Sequence, residues 1–245
     1  MKITFRTILL ALYFVVYMLV GALIAWPWLI FRLFGWNRFP DFMMAKTVSI
    51  WGRTMLWVAG IKYKVYGQKN IPKHNRICFV SNHQGHFDGP LILAGANKVI
   101  GAISKIELKK FPLFAQWLLF TNSPFIDRNN REEAVQIIAK RLKDINLGRP
   151  MLIFPEGTRS KSNTLNAFKM GGITSVLKSG AVVVPITVNN TFKAFEANGN
   201  AIKPAENVSI TFHEPIDTSL LDQENVDAFV EQLRKAMDPV NLNHA

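Results

Sequence analysis

The sequence contains only one cysteine. Because Cys78 has no second cysteine to pair with, the chain can form no internal disulfide bond and no thiolate metal cluster of its own. Cys78 lies in the apolar run at residues 77–80, which is typical of a buried structural thiol. This cysteine usage fits a reducing compartment.

Acidic residues are also scarce. Lys and Arg number 29 against 17 Asp and Glu, which gives a formal net charge of +12. A surplus of this size favours an anionic partner: nucleic acid, an anionic membrane surface, or a phosphorylated substrate or cofactor. Because no nucleic-acid-binding motif is present, nucleic acid is the weakest of these interpretations. With 49% hydrophobic and 19% charged residues, the chain is too apolar to be disordered.

Charged residues are absent from residues 7–31. This apolar run exceeds the roughly 20 residues that a helix needs to cross a bilayer core. Trp26, Trp28 and Trp36 cluster near its end, as in the aromatic belt of a membrane interface. A secretory signal peptide is the alternative, but bulky residues stand where a small-residue cleavage site is expected. We therefore predict a retained membrane anchor, and Pro27 leaves open a kinked or re-entrant helix.

The next segment, residues 41–61, mixes apolar side chains with Lys46 and Arg53. This pattern predicts either a helix on the membrane surface or an ordinary amphipathic helix packed on a globular domain. We accordingly predict two regions, with membrane-anchoring helices at residues 1–61 and a globular domain at residues 62–245.

The globular region alternates short apolar runs with longer helical patterns. The apolar runs lie at residues 76–81, 151–154, 181–188 and 208–212. The helical patterns lie at residues 90–96, 113–120, 131–147, 166–179 and 225–237. Buried strands that alternate with helices predict an α/β fold with a mostly parallel central sheet flanked by helices.

His83 and Asp88 stand where the first apolar run gives way to a helix, which is where active sites of α/β sheets form. A turn at this point can bring the carboxylate against the imidazole. The Asp then fixes the ring tautomer, and the other ring nitrogen is free to deprotonate an alcohol. Two alternatives remain open: a turn histidine with a capping aspartate, and a metal site with His83, His86 and Asp88 as ligands.

Two further polar clusters each follow an apolar run. Arg128, in the first cluster, could bind phosphate through its planar guanidinium, although a solvated helix start is the plainer interpretation. In the second cluster Glu156 could accept hydrogen bonds from substrate hydroxyls, and Gly157 allows close approach of the backbone. Arg159 could supply a second phosphate contact.

Four segments in this order resemble the glycerolipid acyltransferase family, and specifically the 1-acylglycerol-3-phosphate O-acyltransferases (lysophosphatidic acid acyltransferases). The matching segments are Asn82-His83 with Asp88, Phe-Ile-Asp-Arg at residues 125–128, Phe-Pro-Glu-Gly-Thr-Arg-Ser at residues 154–160 and Val-Pro-Ile at residues 184–186. By itself the last segment predicts either core or the wall of an acyl groove. The resemblance covers about residues 75–190, and the N-terminal helices are also similar to those of bacterial members.

The resemblance implies a role for each matching residue. His83 would be the general base and Asp88 the carboxylate that orients it. The residues implied to bind substrate are Lys105, Arg128, Glu156, Gly157, Thr158 and Arg159. Of these, the three basic residues would lie near the acceptor phosphate, while Glu156 and Gly157 would contact the acceptor glycerol.

Two positions depart from the commonest family pattern. Gly85 stands where Ser is usual, and His86 stands where an aromatic residue is usual. His86 is either a bystander on the approach to the helix or a group that modifies the site, and we do not count it as catalytic.

The expected activity is transfer of a fatty acyl group from a thioester to the sn-2 hydroxyl of 1-acylglycerol-3-phosphate, which gives phosphatidic acid for phospholipid synthesis. No cofactor and no metal is expected, because acyl-CoA or acyl carrier protein serves as the donor substrate. Anionic membrane lipid is the expected partner, and the cytoplasmic face of the inner membrane is the expected location if the source is bacterial. Three alternatives remain: another lysophospholipid or lyso-aminolipid acceptor, a metal-dependent membrane hydrolase, and a non-enzymatic basic protein of the membrane surface.

Overall fold

The computed structural model describes residues 4–34, 38–127 and 129–238. The helices are α1 (Phe5–Leu33), α2 (Arg38–Ala59), α3 (Asp88–Ala96), α4 (Pro112–Phe120), α5 (Arg131–Lys143), α6 (Met170–Leu177) and α7 (Val226–Met237). The strands are β1 (Ile61–Tyr66), β2 (Ile77–Ser81), β3 (Gly101–Ala102), β4 (Ser104–Lys105), β5 (Phe125–Ile126), β6 (Met151–Ile153), β7 (Val182–Asn189), β8 (Ala205–Phe212) and β9 (Ile216–Asp217).

A seven-stranded sheet forms the centre of the molecule, with the order β1-β8-β7-β2-β6-β3 and β9 paired to β7. Strand β2 lies between β6 and β7 and is parallel to both. The antiparallel pairs are β7 with β8 and β7 with β9. The predicted α/β fold with a mostly parallel sheet is therefore confirmed.

The alternation of side chains along β2 explains why helices cover both faces of the sheet. Ile77 and Phe79 point into a core shared with α2 and α3, and both are fully buried. Cys78 and Val80 point into a second core shared with α5, α6 and α7. A strand buried on both faces must be apolar throughout, as this one is. The interpretation of Cys78 as a buried thiol is thus confirmed, and burial raises the pKa of the thiol.

The sixth helix begins four residues later than the sequence pattern predicts. The pattern places its start at residue 166, whereas α6 begins at Met170. The N–H of Asn166 donates to Glu156, and the N–H of Lys169 donates to the carbonyl oxygen of Pro155. These tertiary hydrogen bonds satisfy backbone donors before the helix begins, so the segment stays extended.

The second helix packs directly on the globular domain. Ser49 donates a hydrogen bond to the carbonyl of Ala94 on α3 at 3.4 Å, and Leu56 is fully buried. The opposite face of α2 is exposed at Ile50 and Trp57. Packing of α2 on the domain, which was part of one of the two interpretations of residues 41–61, is therefore observed, and its contact with a membrane surface stays a prediction.

Within residues 4–34, 38–127 and 129–238, no helix is both long enough and apolar enough to cross a membrane. The transmembrane helix predicted for residues 7–31 is not confirmed. Trp36, which formed part of the predicted aromatic belt, lies outside the described residues.

Candidate active site

The turn between β2 and α3 brings His83 and Asp88 together. Nδ1 of His83 lies 2.6 Å from Oδ2 of Asp88, whose side chain is 0% exposed. The same carboxylate oxygen accepts the backbone N–H groups of Gln84 at 2.7 Å and Gly85 at 2.9 Å. Thr191 donates its hydroxyl to the other oxygen. The carboxylate is therefore held by four donors, and the predicted pairing with the imidazole is present.

The imidazole of His83 is poised to act as a base. Its ring stacks on Phe154 with 4.0 Å between ring centroids and 18° between planes. Because Nδ1–H is donated to Asp88, the neutral ring carries its lone pair on Nε2. The side chain is 18% exposed, so a substrate hydroxyl can reach it.

A neighbouring side chain ties this turn to the sheet. The amide of Asn82 exchanges two hydrogen bonds with the backbone of Val188 on β7, at 2.9 and 2.7 Å. Asn82 therefore fixes the point at which the chain leaves β2. The asparagine of the Asn82-His83 segment has a structural role here.

The loop after β6 runs beside the His83 turn. The N–H of Ser160 donates to the carbonyl of His83 at 2.7 Å, and the N–H of Lys161 donates to the carbonyl of Gln84 at 3.2 Å. These bonds place the loop residues Thr158 and Arg159 at the wall of the same cavity as His83.

Glu156 is 2% exposed and joins three backbone segments. Oε1 accepts the N–H of His83 at 2.7 Å, and Oε2 accepts the N–H of Asn166 at 3.0 Å. Burial raises the pKa of this carboxyl, and the two backbone hydrogen bonds oppose the rise. This geometry makes Glu156 a clamp on the catalytic turn, and its contact with the acceptor glycerol stays a prediction.

Of the three basic residues predicted to bind the phosphate, the structure describes the positions of two. Arg159 and Lys105 both line the cavity beside His83. Lys105 also pairs with Glu107 at 2.7 Å on the surface. Arg128 lies outside the described residues, so its phosphate contact stays a prediction.

The larger of two cavities at the site, of about 530 Å³, extends from His83 between the N-terminal helices and the domain. Its apolar walls include Phe14, Met18, Trp51, Leu93 and Trp117. A cavity of this volume and composition suits a hydrocarbon chain with a polar end at His83.

A second cavity, of about 380 Å³, is also lined by His83 and Phe154. Its lining includes Val135, Gly157 and Lys169. Both cavities therefore meet at the same histidine. Gly157 adopts a φ of +65°, and a side chain there would collide with Lys169.

One open question of the sequence is answered by these positions. Val184 and Ile186 are fully buried in the sheet, so the Val-Pro-Ile segment is core and not the wall of a groove. No group of three or more His, Cys, Asp and Glu side chains in the described part of the chain could hold a metal ion. The ring of His86 turns to Glu196 and away from the His83 pair.

Two residues at the site were not predicted from the sequence. Thr191 and Glu196 contact the catalytic turn across 103 and 110 positions of sequence. Neither stands in a motif, and only folding of the segment after β7 brings them to the site.

The fold and the site together define an acyltransferase, with a histidine base at the mouth of an apolar cavity. The family profile described as Acyltransferase matches residues 62–189, which is 128 of the 245 residues, and the chain belongs to this family. The resemblance inferred from the four segments is thereby confirmed.

Individual relatives carry more specific names. The 1-acyl-sn-glycerol-3-phosphate acyltransferase of Cocos nucifera is 31% identical over 185 residues, which cover 74% of this chain and 58% of that protein. The protein of the same name from Borreliella burgdorferi is 29% identical over 209 residues, which cover 84% of this chain and 82% of that protein. The crystal structure of the 1-acyl-sn-glycerophosphate (LPA) acyltransferase PlsC from Thermotoga maritima matches with a TM-score of 0.80 and 26% identity, covering 98% of both chains.

Proposed function

We propose that this chain transfers a fatty acyl group from an acyl thioester to the sn-2 hydroxyl of 1-acylglycerol-3-phosphate, which gives phosphatidic acid for phospholipid synthesis. The names of the similar proteins support this reaction. The observation that carries the proposal is the His83–Asp88 pair, which opens onto a large apolar cavity that Lys105 and Arg159 also line.

The base acts directly on the acceptor. Nε2 of His83 takes the proton of the sn-2 hydroxyl while its oxygen attacks the thioester carbonyl. The tetrahedral intermediate then collapses, the carbon–sulfur bond breaks, and the leaving thiolate takes the proton back from His83. Asp88 stabilises the imidazolium between the two proton transfers. General base catalysis of this kind contributes about 100- to 10,000-fold to the rate.

No covalent acyl-enzyme is part of this reaction. Cys78 is fully buried inside the sheet, so its thiol cannot reach a thioester. Direct transfer instead requires both substrates to be bound at His83 at the same time. The two cavities that meet at His83 support such a ternary complex.

The substrates follow from the charge and the apolarity of the site. Lys105 and Arg159 are suited to the phosphate of the acceptor, and Arg128 is expected to assist them. The apolar cavity is suited to a fatty acyl chain, because each buried methylene contributes about 0.8 kcal/mol. The donor is an acyl thioester of coenzyme A or of acyl carrier protein, both of which are anionic and suit a net charge of +12.

Membrane attachment is part of the proposal, because the acceptor is a membrane lipid. Ile8, Leu12, Val15, Leu19 and Leu23 recur at helical spacing along α1, and each is between 50% and 75% exposed. A contiguous exposed apolar surface of this kind marks a membrane or protein contact. We propose that this apolar stripe of α1 lies against an anionic membrane, on the cytoplasmic face if the source is bacterial.

One assay tests the proposed reaction. Purified protein is given lysophosphatidic acid or other lysophospholipids as acceptor, with acyl-CoA or acyl carrier protein thioesters as donor, and products are identified by mass spectrometry. We expect phosphatidic acid from wild type and none from His83→Ala. If an acceptor without a terminal phosphate is acylated in preference, lysophosphatidic acid is not the acceptor. If His83→Ala is as active as wild type, the mechanism is wrong.

A further inference from the structure

Glu196 is a buried carboxylate that the proposed reaction does not use. Its side chain is 2% exposed, and burial of an unpaired carboxylate is strongly unfavourable. Oε1 accepts hydrogen bonds from the backbone N–H of His86 at 2.9 Å and from its Nδ1 at 2.7 Å. Oε2 is buried and has no hydrogen-bond partner among the described residues. Burial acts to raise the pKa of Glu196, but hydrogen bonds from His86 and from the backbone N–H of Glu196 itself, together with the electrostatic attraction of His86, outweigh it and the pKa is lowered.

A cation compensates this buried charge. Nη1 of Arg159 lies 3.2 Å from Oε1 of Glu196, 2.5 Å from Nδ1 of His86 and 2.6 Å from its Nε2. Because Nη1 is close to both ring nitrogens of His86, the guanidinium lies against the imidazole as well as against the carboxylate. The ring of His86 is also held edge-on against Phe195, with 5.0 Å between ring centroids. One imidazole thus links the buried carboxylate to the guanidinium.

The contacts of Arg159 with Glu196 and His86 leave most of its guanidinium group available. Among the described residues these contacts engage Nη1 alone, whereas an arginine has five N–H donors in a planar fork. Arg159 lines the large cavity together with His83 and Lys105. The donors on Nε and Nη2 can therefore form a bidentate pair with a phosphate group in that cavity.

The space that Glu196 occupies depends on Gly85. A Cβ atom at position 85 would lie 2.6 Å from Oε2 of Glu196, which is closer than real Cβ contacts. A serine at this position, which is usual in the family pattern, would force the carboxylate to move. Gly85 and Glu196 are thus a matched pair in this chain.

We propose that Glu196 and His86 are positioning residues that hold Arg159 in place for the acceptor phosphate, and that Gly85 makes room for this arrangement. The proposal deepens the proposed function and rests on it for the identity of the acceptor. It gives His86 a role as the link between an anion and a cation, and it keeps His86 out of the proton transfer.

Binding measurements test the proposal separately from catalysis. The dissociation constants of lysophosphatidic acid and of 1-acylglycerol, which lacks the phosphate, are measured by titration calorimetry in the His83→Ala background. Glu196→Gln keeps the shape of the side chain and removes its charge, so we expect lysophosphatidic acid to bind about tenfold more weakly while 1-acylglycerol is unaffected. Glu206→Gln is the control, because Glu206 pairs with Lys62 at the surface, outside both cavities.

Variants of the other two residues give independent tests. Gly85→Ser should weaken lysophosphatidic acid binding to a similar degree, and the effect of Glu196→Gln should be much smaller when added to Gly85→Ser. His86→Phe should also weaken that binding, and His86→Gln should restore part of it because an amide can donate to Glu196 and accept from Arg159. Circular dichroism spectra of each variant, compared with wild type, test whether the variant is folded.

Two results would overturn the positioning role: equal losses of affinity for both ligands, or no loss with Glu196→Gln and Gly85→Ser. Failure of the proposed function is a different result, in which wild-type protein forms no phosphatidic acid from lysophosphatidic acid. In that case the ratio of the dissociation constants of lysophosphatidic acid and 1-acylglycerol still shows whether Arg159 binds the phosphate. A wild type that binds both ligands equally would exclude Arg159 as a phosphate ligand.

Discussion

At the scale of single residues, the environment of Asp88 is what suits His83 to its proposed role as a base. The carboxylate is fully buried and accepts two backbone N–H groups, so its position is fixed before any substrate binds. It therefore holds one tautomer of His83 and stabilises the imidazolium that forms during transfer. A catalytic group held this way loses little freedom when the reaction begins.

The first prediction concerns Asp88→Asn. The amide oxygen can take the place of Oδ2, but the amide NH2 then faces the hydroxyl that Thr191 donates to Oδ1, and the neutral amide cannot stabilise the imidazolium by charge. We expect kcat to fall by about 1,000- to 10,000-fold while the KM for the acceptor changes little. Initial rates of phosphatidic acid formation measure this, and a kcat within about tenfold of wild type would show that Asp88 is not the orienting carboxylate.

The second prediction concerns the pH dependence of stability through His213. Burial lowers the pKa of this histidine, whose Nε2 lies 2.8 Å from the hydroxyl of Thr187. A histidine with a lowered pKa in the folded state contributes stability above its unfolded pKa of about 6.5, and that contribution is lost as the pH falls towards the folded pKa. We expect His213→Gln to lose less stability than wild type between about pH 7 and pH 5, measured by urea unfolding. Parallel loss in both proteins would contradict this assignment.

At the scale of elements, the close approach of α2 to α3 shapes the large cavity. A Cβ atom at Gly52 would lie 2.4 Å from the carbonyl oxygen of Pro90, so α2 can approach α3 only because this residue is a glycine. The loop after β6 is likewise fixed against the turn after β2 by hydrogen bonds from Ser160 and to Glu156. These two contacts between elements bring the cavity wall and the base together.

The third prediction compares two glycines in helices. Alanine is favoured over glycine in a helix by about 0.5–1 kcal/mol. A Cβ atom at Gly172 in α6 would meet no neighbouring atom within 4 Å, so Gly172→Ala should stabilise the protein by that amount. Gly52→Ala should destabilise it by about 1–3 kcal/mol, because α2 must move away from α3. Denaturant unfolding measures both, and a stabilising Gly52→Ala would contradict the observed helix packing.

At the scale of the whole molecule, the site lies between an exposed apolar helix and a basic globular domain. The large cavity is lined by both parts, with Phe14 and Met18 from α1 and His83 from the domain. A lipid drawn from a membrane beside α1 would therefore have a short path to the base. The net charge of +12 favours an anionic bilayer and an anionic donor in the same way.

The fourth prediction tests the apolar stripe of α1. Leu12 and Leu19 are exposed, so replacing both with Gln should leave folding intact and should weaken binding to anionic phospholipid vesicles by at least about tenfold. Activity on lysophosphatidic acid dispersed in detergent should stay within about twofold of wild type. The matched control replaces Leu147 and Leu220, two exposed leucines outside α1, with Gln. Equal vesicle binding by both double variants would mean that the stripe does not contact the membrane.

Local patterns in the chain were sufficient to predict the fold class and the pairing of His83 with Asp88. The alternation along β2 buries Ile77 and Cys78 on opposite faces, and the turn that joins His83 to Asp88 spans only six residues. Both features depend on residues close together in the sequence, so they can be read without knowing how distant segments pack. The resemblance of the four segments then added the family, which the comparisons confirmed.

The other contacts at the site, and its cavities, depend on tertiary packing and could not be predicted from the sequence. Glu156 joins separate backbone segments, because its two oxygens accept N–H groups that lie 73 and 10 positions away in the sequence. Thr191 and Glu196 reach the catalytic turn from more than 100 positions away. Contacts between residues so far apart in the sequence depend on how whole helices and strands pack. They produce no periodic pattern in the sequence from which they could be predicted. The cavities arise in the same way, because the space between helices depends on how closely their backbones approach.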